Sequence, residues 1–233
     1  MKLVIEHIKN TPALSSDVGF FDNYKDSSIA VVGNGGVILD HGDGEAIDSH
    51  TMVIRCNQTP LEEYTNHVGA RTDVRMVNSH YFTALKGTDP PSHENFIPRM
   101  KSIHPRFDEN YLYTLENEIL IVKYGVDKSL FVNEIRQIQE KNNKVIFLDP
   151  RFYQLGTTIL GTHPTNGFMA MMFALKFFKD VSYYGFGFYN ESKKHYYQTI
   201  QEHLDSAPCH NNNMEKEFFT QLKHLGLAKE RGL

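Results

Sequence analysis

The chain has 233 residues, of which 40% are hydrophobic and 22% are charged, and its formal net charge at pH 7 is -4. A chain of this length and composition can bury one substantial apolar core, so we predict a single domain over residues 1–233. Lysine and arginine form no block in the sequence, which argues against binding to nucleic acid or to an acidic membrane surface.

The sequence contains no segment that would anchor the protein in a membrane or direct its export. No apolar run approaches the length of about 18 residues that marks a membrane-spanning helix. The N-terminal stretch MKLVIEHIKNTPALSS is charged throughout, unlike a signal peptide. Two cysteines, Cys56 and Cys209, are too few for a disulfide scaffold. We therefore expect a soluble protein without a transmembrane segment.

The first clear element is the apolar run Ile29–Val32, which ends at the glycine-rich turn Gly33–Gly36. Such a run predicts a buried parallel strand, and a strand that enters a glycine-rich turn brings backbone N–H groups close to a nucleotide. The next predicted strand, Met52–Cys56, ends on Asn57. Asn34 and Asn57 thus follow two strands at the sheet edge where open α/β sheets bind ligands. Asparagine also suits tight turns, so the residues alone leave both roles open.

The glycine-rich turn does not complete the pattern of dinucleotide-binding proteins. After Gly33 and Gly35, the third glycine of G-x-G-x-x-G would stand where the sequence has Ile38. Binding of NAD by a dehydrogenase-like enzyme is therefore the weaker of the nucleotide-binding interpretations.

Further along the chain, predicted strands alternate with predicted helices. Helices are expected over Pro60–Asn66 and Ser129–Asn142. Further strands are expected at Val74–Val77, Ile119–Val122, Val145–Leu148 and Ser182–Phe186. This alternation predicts an α/β fold, with one Rossmann-like domain whose mostly parallel central sheet is flanked by helices. The stretch His80–Arg106 has no clear period and is interpreted as a loop, either a lid on the acceptor side or a plain surface excursion.

A second stretch with functional features runs from His163 to Phe188. Thr165 or Asn166 can cap a helix whose body, Phe168–Phe178, is almost wholly apolar and is therefore expected to be buried. The N-terminus of a helix offers unpaired N–H groups and the positive end of the helix dipole, which together suit a phosphate group.

Four segments resemble the motifs of glycosyltransferase family 29, the eukaryotic-type sialyltransferases. VVGNGG, AIDSHTMVIRCNQTP and HVGARTD, all within Ser28–Arg75, resemble the large sialylmotif. The segment PTNG, at residues 164–167, resembles the small sialylmotif, whose usual wording is Pro-Ser-Thr-Gly. The segment KHYY around His195 resembles the third motif, and His210 with Glu215 resembles the very small motif.

The resemblance implies a variant of the GT-A glycosyltransferase fold and a CMP-activated sugar as donor. It implies that the donor contacts the following residues of the large and small motifs: Asn34, Gly35, Asn57, Thr165, Asn166 and Gly167. The chain departs from the family at Gly35, where a serine is usual, and at Thr165 and Asn166, where Ser-Thr is usual.

The resemblance also bears on the cellular compartment. Family members of the Golgi have a disulfide between the large and small motifs, and alignment of the motifs places its cysteines at Ile29 and Phe178 of this chain. A packed contact between two apolar residues suits a reducing compartment, where disulfides are rare. Together with the lack of an anchor or signal peptide in the sequence, this departure from the family leads us to expect a protein in the cytoplasm or otherwise soluble in a reducing compartment.

The family's inverting mechanism implies roles for two histidines. The acceptor hydroxyl loses a proton as it attacks the anomeric carbon of the donor, and a neutral imidazole suits that task, so His210 is the predicted base. His195 is predicted to donate to the leaving CMP phosphate, with a surface histidine beside two tyrosines as the alternative. Asn212 and Glu215 have the spacing of a capping box, so we predict a helix just after His210 and assign Glu215 to capping rather than to proton transfer. The nearby helix N-terminus would disfavour the imidazolium form.

We expect neither a metal nor another cofactor. CMP leaves with one phosphate, which protein donors can neutralise, and the sequence has no Asp-x-Asp triplet. The sequence therefore predicts an inverting, metal-independent glycosyltransferase. It would move sialic acid, or a related acidic sugar such as Kdo, from a CMP-sugar to a hydroxyl of a glycan acceptor. The alternatives are a non-catalytic CMP-sugar-binding protein and another nucleotide-dependent α/β enzyme.

Overall fold

A parallel sheet forms the centre of the protein. The structure is a computed structural model that describes residues 1–17, 19–87, 95–103, 107–123, 127–188, 195–197 and 210–232. The strands of this part of the chain are β1 Ser28–Val32, β2 Met52–Cys56, β3 Val74–Val77, β4 Ile119–Val122, β5 Lys144–Phe147, β6 Asp180–Tyr184 and β7 Lys229–Glu230. Their order across the sheet is β5-β4-β3-β2-β1-β6-β7, and neighbouring strands pair in parallel.

Helices connect these strands. They are α1 Lys2–Asn10, α2 Gly44–Asp48, α3 Thr65–Val68, α4 His80–Leu85, α5 Phe96–Ile103, α6 Tyr111–Thr114, α7 Val132–Gln139, α8 Pro150–Leu160, α9 Asn166–Phe177 and α10 Asn212–His224. Short 3₁₀ helices lie at Phe20–Tyr24, Gly36–Asp40 and Lys128–Phe131. The predicted α/β fold, with a mostly parallel sheet flanked by helices, is confirmed.

Helix α9 is enclosed by the rest of the protein. It packs across β1, β2 and β3 and against α1. Its apolar residues from Phe168 to Ala174 have no solvent-exposed surface, which explains why apolar side chains surround the helix axis. Thr165 caps its start, because the Thr165 Oγ1 atom accepts a hydrogen bond from the Phe168 N–H at 3.0 Å. The buried helix and the Thr165 cap were both predicted.

The strand predictions were accurate, and β2, β3 and β4 have the predicted bounds. Strand β6 ends two residues earlier than expected, at Tyr184, because Gly185 has a φ of 68° and turns the chain. Helix α8 was missed, although Asp149 caps it, Pro150 opens it and the left-handed Gly161 ends it. Those are ordinary signals of helix ends.

Three local predictions were wrong in part. The helix expected over Pro60–Asn66 is the shorter α3, which starts at Thr65. The helix expected over Ser129–Asn142 begins as a 3₁₀ helix and ends at Gln139. The predicted loop His80–Arg106 contains α4 and α5; its residues 88–94 and 104–106 lie outside the described residues.

The order of the strands creates a crevice beside β1. Strands β2 to β5 extend from β1 in one direction, and the chain then returns to place β6 on the other side of β1. The loops that follow β1 and β6 therefore leave the sheet toward opposite sides. In open α/β sheets, ligands bind at this kind of switch point, outside the carboxyl-terminal ends of the strands.

The loops after β1 and β6 touch through their backbones. The Gly33 N–H donates to the Tyr184 carbonyl, and the Gly35 N–H donates to the Gly185 carbonyl, each at 2.8 Å. A Cβ atom at Gly35 would lie 2.7 Å from the Gly185 oxygen. Glycine at position 35, where the family usually has serine, is therefore a packing requirement of this chain.

We expect Gly35→Ala to destabilise the protein, because backbone atoms occupy the space that the methyl group needs. Overpacking of this kind costs roughly 1–3 kcal/mol, which lowers the Tm of a chain of this size by about 2–10 °C. Thermal unfolding measures the effect. Gly42→Ala is the control, since the nearest atom to its added Cβ is 3.9 Å away. Equal Tm values for the two variants would contradict this account.

Candidate active site

A cleft opens at the carboxyl-terminal edge of the sheet. It encloses about 820 Å³ of empty space, including the part open to solvent. The residue directly after each of five strands lines it: Gly33, Asn57, Asn78, Lys123 and Gly185. The N-termini of α9 and α10, together with residues 186–188 and His195, complete the wall.

The cleft brings together every site residue predicted from the sequence: Asn34, Gly35, Asn57, Thr165, Asn166, Gly167, His195 and His210. Their individual roles stay predictions. Gly167 is required by packing, as Gly35 is, because a Cβ atom there would lie 2.8 Å from the Phe186 ring. Any contact that these two glycines make with a ligand therefore comes from backbone atoms.

Asn57 is the centre of a chain of amide contacts. Its φ of 57° places it in the left-handed region, directly after β2. Its Oδ1 atom accepts hydrogen bonds from the Asn78 N–H at 2.9 Å and from Asn166 Nδ2 at 2.7 Å. Because a backbone N–H can only donate, the Asn78 contact fixes which way both amide groups face. The Nδ2 group of Asn57 is then the part of this side chain that can donate to a ligand.

Two amide oxygens at this edge are buried without a partner. Within the described residues, neither Asn34 Oδ1 nor Asn166 Oδ1 accepts a hydrogen bond. An unsatisfied buried acceptor costs about 1–3 kcal/mol, so such atoms are uncommon outside functional sites. Both oxygens can accept from a ligand that carries hydroxyl or amino groups.

A buried ion pair supports Asn57 from behind. The Arg75 guanidinium donates to both carboxylate oxygens of Glu118, at 2.6 and 2.7 Å, and to the Asn57 carbonyl at 2.8 Å. Arg75 is 2% exposed, so this pair is shielded from water and salt. Sequence reasoning missed the pair, although an arginine in the middle of an apolar strand was a visible signal.

His195 is held next to Asn34. The N–H of the neighbouring Tyr196 donates to the Asn34 carbonyl at 2.9 Å, and the Tyr196 hydroxyl donates to the Pro60 carbonyl at 2.6 Å. The imidazole of His195 stacks on Tyr197, with 5.4 Å between ring centres. The segment around His195 is therefore attached to the loop after β1.

His210 has a defined tautomer. Its Nδ1 atom lies 2.8 Å from the carbonyl oxygen of His163. A carbonyl can only accept, so Nδ1 carries the proton in the neutral ring and Nε2 is the basic nitrogen. This geometry is suited to the removal of a proton by Nε2.

Glu215 does not have its predicted role. Helix α10 starts just after His210, as expected, but its cap is Asn211, whose Oδ1 atom accepts from the Met214 N–H at 3.2 Å. The Glu215 carboxylate instead reaches Thr165 and accepts from its N–H at 2.9 Å and from its hydroxyl at 2.8 Å. Burial raises the pKa of Glu215 above its ordinary value of 4.5, although the hydrogen bonds from Thr165 oppose this shift. The prediction failed because the partner of Glu215 is on another helix.

Lys123 is a further charged residue that the sequence reasoning missed. Its ammonium group donates to the Pro164 carbonyl at 2.6 Å. Three side chains thus contact the backbone of consecutive residues. Lys123, directly after β4, contacts Pro164; His210, just before α10, contacts His163; and Glu215, in the first turn of α10, contacts Thr165.

The part of the chain that the structure describes has neither a cluster of metal ligands nor a helix that could span a membrane. Across this part of the chain, no cluster of three or more His, Cys, Asp or Glu side chains is arranged to bind a metal ion. None of the helices described is both long and apolar enough to span a bilayer. Independence from metals stays a prediction.

Comparison with known proteins identifies the family. A family model described as glycosyltransferase family 29 (sialyltransferase) matches residues 1–227. The chain belongs to glycosyltransferase family 29. The family that the motifs predicted is therefore confirmed, while the assignment of individual motifs stays a prediction.

Several members of glycosyltransferase family 29 resemble this chain in sequence. CMP-N-acetylneuraminate-beta-galactosamide-alpha-2,3-sialyltransferase 1 of Gallus gallus is 28% identical over 72% of this chain and 46% of its own length. Alpha-N-acetylneuraminide alpha-2,8-sialyltransferase of Xenopus tropicalis is 29% identical over 67% of this chain and 46% of its own length. The chain thus spans about half the length of these curated relatives.

Solved structures named as sialyltransferases share the fold. The crystal structure of a mammalian sialyltransferase in complex with Gal-beta-1-3GalNAc-ortho-nitrophenol aligns with a TM-score of 0.62 and 19% identity. That alignment covers 89% of this chain and 70% of the other. A second mammalian sialyltransferase structure aligns with a TM-score of 0.62 and 16% identity, over 99% of this chain and 84% of the other.

We predict that Glu215 makes the stability of this family 29 protein depend on pH. Because the pKa of Glu215 is raised in the folded state, its contribution to the free energy of unfolding is complete below pH 4.5. This contribution is lost as the pH rises through the folded-state pKa. Between the pKa of Glu215 in the unfolded state and its pKa in the folded state, each pH unit lowers the free energy of unfolding by about 1.4 kcal/mol. Urea unfolding of wild type and Glu215→Gln from pH 4 upward measures the difference.

The glutamine variant should lack this loss of stability, because its side chain does not titrate. Glu217→Gln, on the exposed side of α10, is the matched control and should follow wild type. The same pH profile in wild type and Glu215→Gln would show that the buried carboxylate does not titrate as described.

Proposed function

We propose that this protein is an inverting, metal-independent glycosyltransferase that moves sialic acid from a CMP-activated donor to a hydroxyl group of a glycan acceptor. The observation that carries the proposal is the position of His210. Its imidazole, in which Nε2 is the basic nitrogen, lines the same cleft as Asn34, Asn57 and Asn166. Membership of family 29 supports the reaction class. The relatives' names support sialic acid as the donor sugar, and the ligand of the mammalian structure supports a glycan acceptor.

The polar groups of the cleft suit the CMP part of the donor. The buried oxygens of Asn34 and Asn166 accept hydrogen bonds, which ribose hydroxyls and the cytosine amino group can donate. Asn57 Nδ2 and the N–H groups at the start of α9 are donors, and they suit the phosphate. Thr165 is committed to Glu215 and to the helix cap, so it acts by orienting the end of α9.

Proton transfer is assigned to the two histidines. His210 Nε2 takes the proton of the acceptor hydroxyl while the hydroxyl oxygen bonds to the anomeric carbon. The bond between that carbon and the CMP phosphate breaks on the opposite face, which inverts the configuration. His195, beside Asn34, donates a hydrogen bond to the departing phosphate and stabilises its charge. These groups need no metal or cofactor.

A related acidic sugar such as Kdo is the second candidate donor, since it offers the same CMP, carboxylate and anomeric carbon. We further propose that residues 1–233 form one glycosyltransferase domain with a variant of the GT-A fold.

Ile29 and Phe178 are both buried in the same apolar cluster, which supports function without the family disulfide in a reducing compartment such as the cytoplasm. Cys209 lies outside the described residues. Cys56 is buried, and burial raises its pKa to about 12.

The donor site predicts selective binding of CMP. In a calorimetric titration with EDTA and dithiothreitol present, CMP should bind, whereas UDP and NAD should bind at least about tenfold more weakly. Binding only after addition of a divalent metal would contradict metal independence, and loss of binding in dithiothreitol would contradict function without a disulfide. Preferential binding of NAD would favour another nucleotide-dependent enzyme.

A variant of Asn57 tests the geometry of this site. Asn57→Asp keeps the oxygen that accepts from Asn78 and Asn166 but replaces the amide donor with a negative charge. We expect its affinity for CMP to fall by about tenfold or more, with little change in Tm. An unchanged affinity would exclude Asn57 from the donor site.

His210→Ala and His210→Asn should lose transfer but keep CMP binding. The amide of asparagine can replace Nδ1 as the donor to the His163 carbonyl, yet it cannot take a proton. We expect turnover to fall by about 10²- to 10⁴-fold, while the Kd for CMP stays within about twofold of wild type. Normal turnover of the asparagine variant would show that His210 is not the base.

Wild type that binds CMP but neither hydrolyses nor transfers the donor sugar would be a CMP-sugar-binding protein.

A further inference from the structure

Lys123 is a charged residue of the cleft that lies outside the segments resembling family motifs. It follows β4 directly and is 8% exposed, so its ammonium group is part of the cleft wall rather than of the outer surface. The ammonium nitrogen lies 2.6 Å from the Pro164 carbonyl oxygen and 5.4 Å from the centre of the Tyr153 ring. These contacts restrict its position.

The position of Lys123 is tied to that of the base. Lys123 and His210 hold the carbonyls of two consecutive residues, Pro164 and His163. The α-carbons of consecutive residues are about 3.8 Å apart, so the ammonium and the imidazole lie on the same stretch of wall. The base must meet the acceptor hydroxyl and the anomeric carbon, so this stretch of wall faces the sugars.

The end of the cleft formed by Asn34 and His195 is separate from Lys123. Asn34 and His195 belong to the loop after β1 and to the segment attached to it. Strand β4 is three places away from β1 in the sheet, or about 14 Å at the usual strand spacing. A cation at the end of β4 is therefore distant from the part of the nucleotide that Asn34 and His195 contact, and it is placed for an anionic group on a sugar beside the base.

We propose that Lys123 binds a carboxylate of a sugar substrate beside the base, an inference that rests on the proposed function. An ammonium group forms a short, charge-assisted hydrogen bond with a carboxylate, and the low exposure of Lys123 strengthens the attraction. Two substrates can supply the carboxylate. The donor carries one on its anomeric carbon, and an acceptor that ends in an acidic sugar carries another.

Replacement of Lys123 by methionine and by arginine tests the proposal. Lys123→Met keeps the length of the side chain and removes the charge, whereas Lys123→Arg keeps the charge. Lys86→Met is the matched control, because Lys86 also donates to a backbone carbonyl and lies over an aromatic ring, but outside the cleft. For each variant we would measure the Kd for CMP, donor hydrolysis without acceptor, and transfer to a neutral and to a carboxylate-bearing acceptor.

The KM values identify the source of the carboxylate. If the donor supplies it, Lys123→Met raises the KM for the CMP-sugar by about 10- to 100-fold, also in hydrolysis. If the acceptor supplies it, the same rise occurs only for the carboxylate-bearing acceptor. In both cases the Kd for CMP stays within about twofold of wild type, and Lys123→Arg recovers part of the loss.

Three outcomes overturn the proposal. First, the KM values of Lys123→Met can match those of Lys86→Met. Second, the Kd for CMP and all KM values can rise together while the Tm falls, which indicates a purely structural role. Third, wild type can lack both CMP binding and donor hydrolysis, which removes the proposed function as well. A test on wild type does not depend on folding of the variants. Free sialic acid should inhibit transfer at least about tenfold more strongly than its methyl ester, and equal inhibition would also contradict the proposal.

Discussion

The carboxylate of Glu215 joins the two helices that form one side of the cleft. It accepts two hydrogen bonds from Thr165, the cap of α9, while it belongs to the first turn of α10, directly after His210. This contact and the hydrogen bond from His210 Nδ1 to the His163 carbonyl together fix the position of His210, the proposed base, relative to the start of α9. The contact is buried, so water competes little for it, and its burial also raises the pKa of the carboxyl group.

A second network orients the other side of the cleft. Asn78 fixes the amide of Asn57, Asn57 fixes the amide of Asn166, and Arg75 holds the backbone of Asn57 from behind. Each amide in this chain is oriented by the group before it, which leaves Asn166 Oδ1 without a partner in the described residues. The Asn34 amide is oriented separately, because its Nδ2 group donates to the Cys56 carbonyl at 3.4 Å, and its Oδ1 atom likewise has no partner in that part of the chain. Such preorganisation reduces the conformational entropy that the protein loses when a ligand binds, because its side chains are already ordered.

Local patterns predicted most of the sheet and none of the contacts between distant segments. Runs of apolar β-branched residues predicted the strands. The resemblance to the family motifs predicted site residues that all line the cleft. Lys123 and the Arg75–Glu118 pair were missed, because their hydrogen-bond partners lie more than forty residues away in the sequence and no local pattern indicates them. Glu215 was assigned to its own helix, because spacing reveals neighbours on one helix but not a threonine fifty residues away.

The contact between Gly35 and Gly185 limits how the cleft can evolve. The two loops meet through main-chain atoms of their glycines, so a side chain added at Gly33, Gly35 or Gly185 would separate β1 from β6 instead of reshaping the pocket. New specificities in descendants of this protein should therefore arise where side chains already line the wall, at the ends of β3 and β4 and along the first turn of α10. The backbone contact between the loops after β1 and β6 would stay constant while the substrate changes.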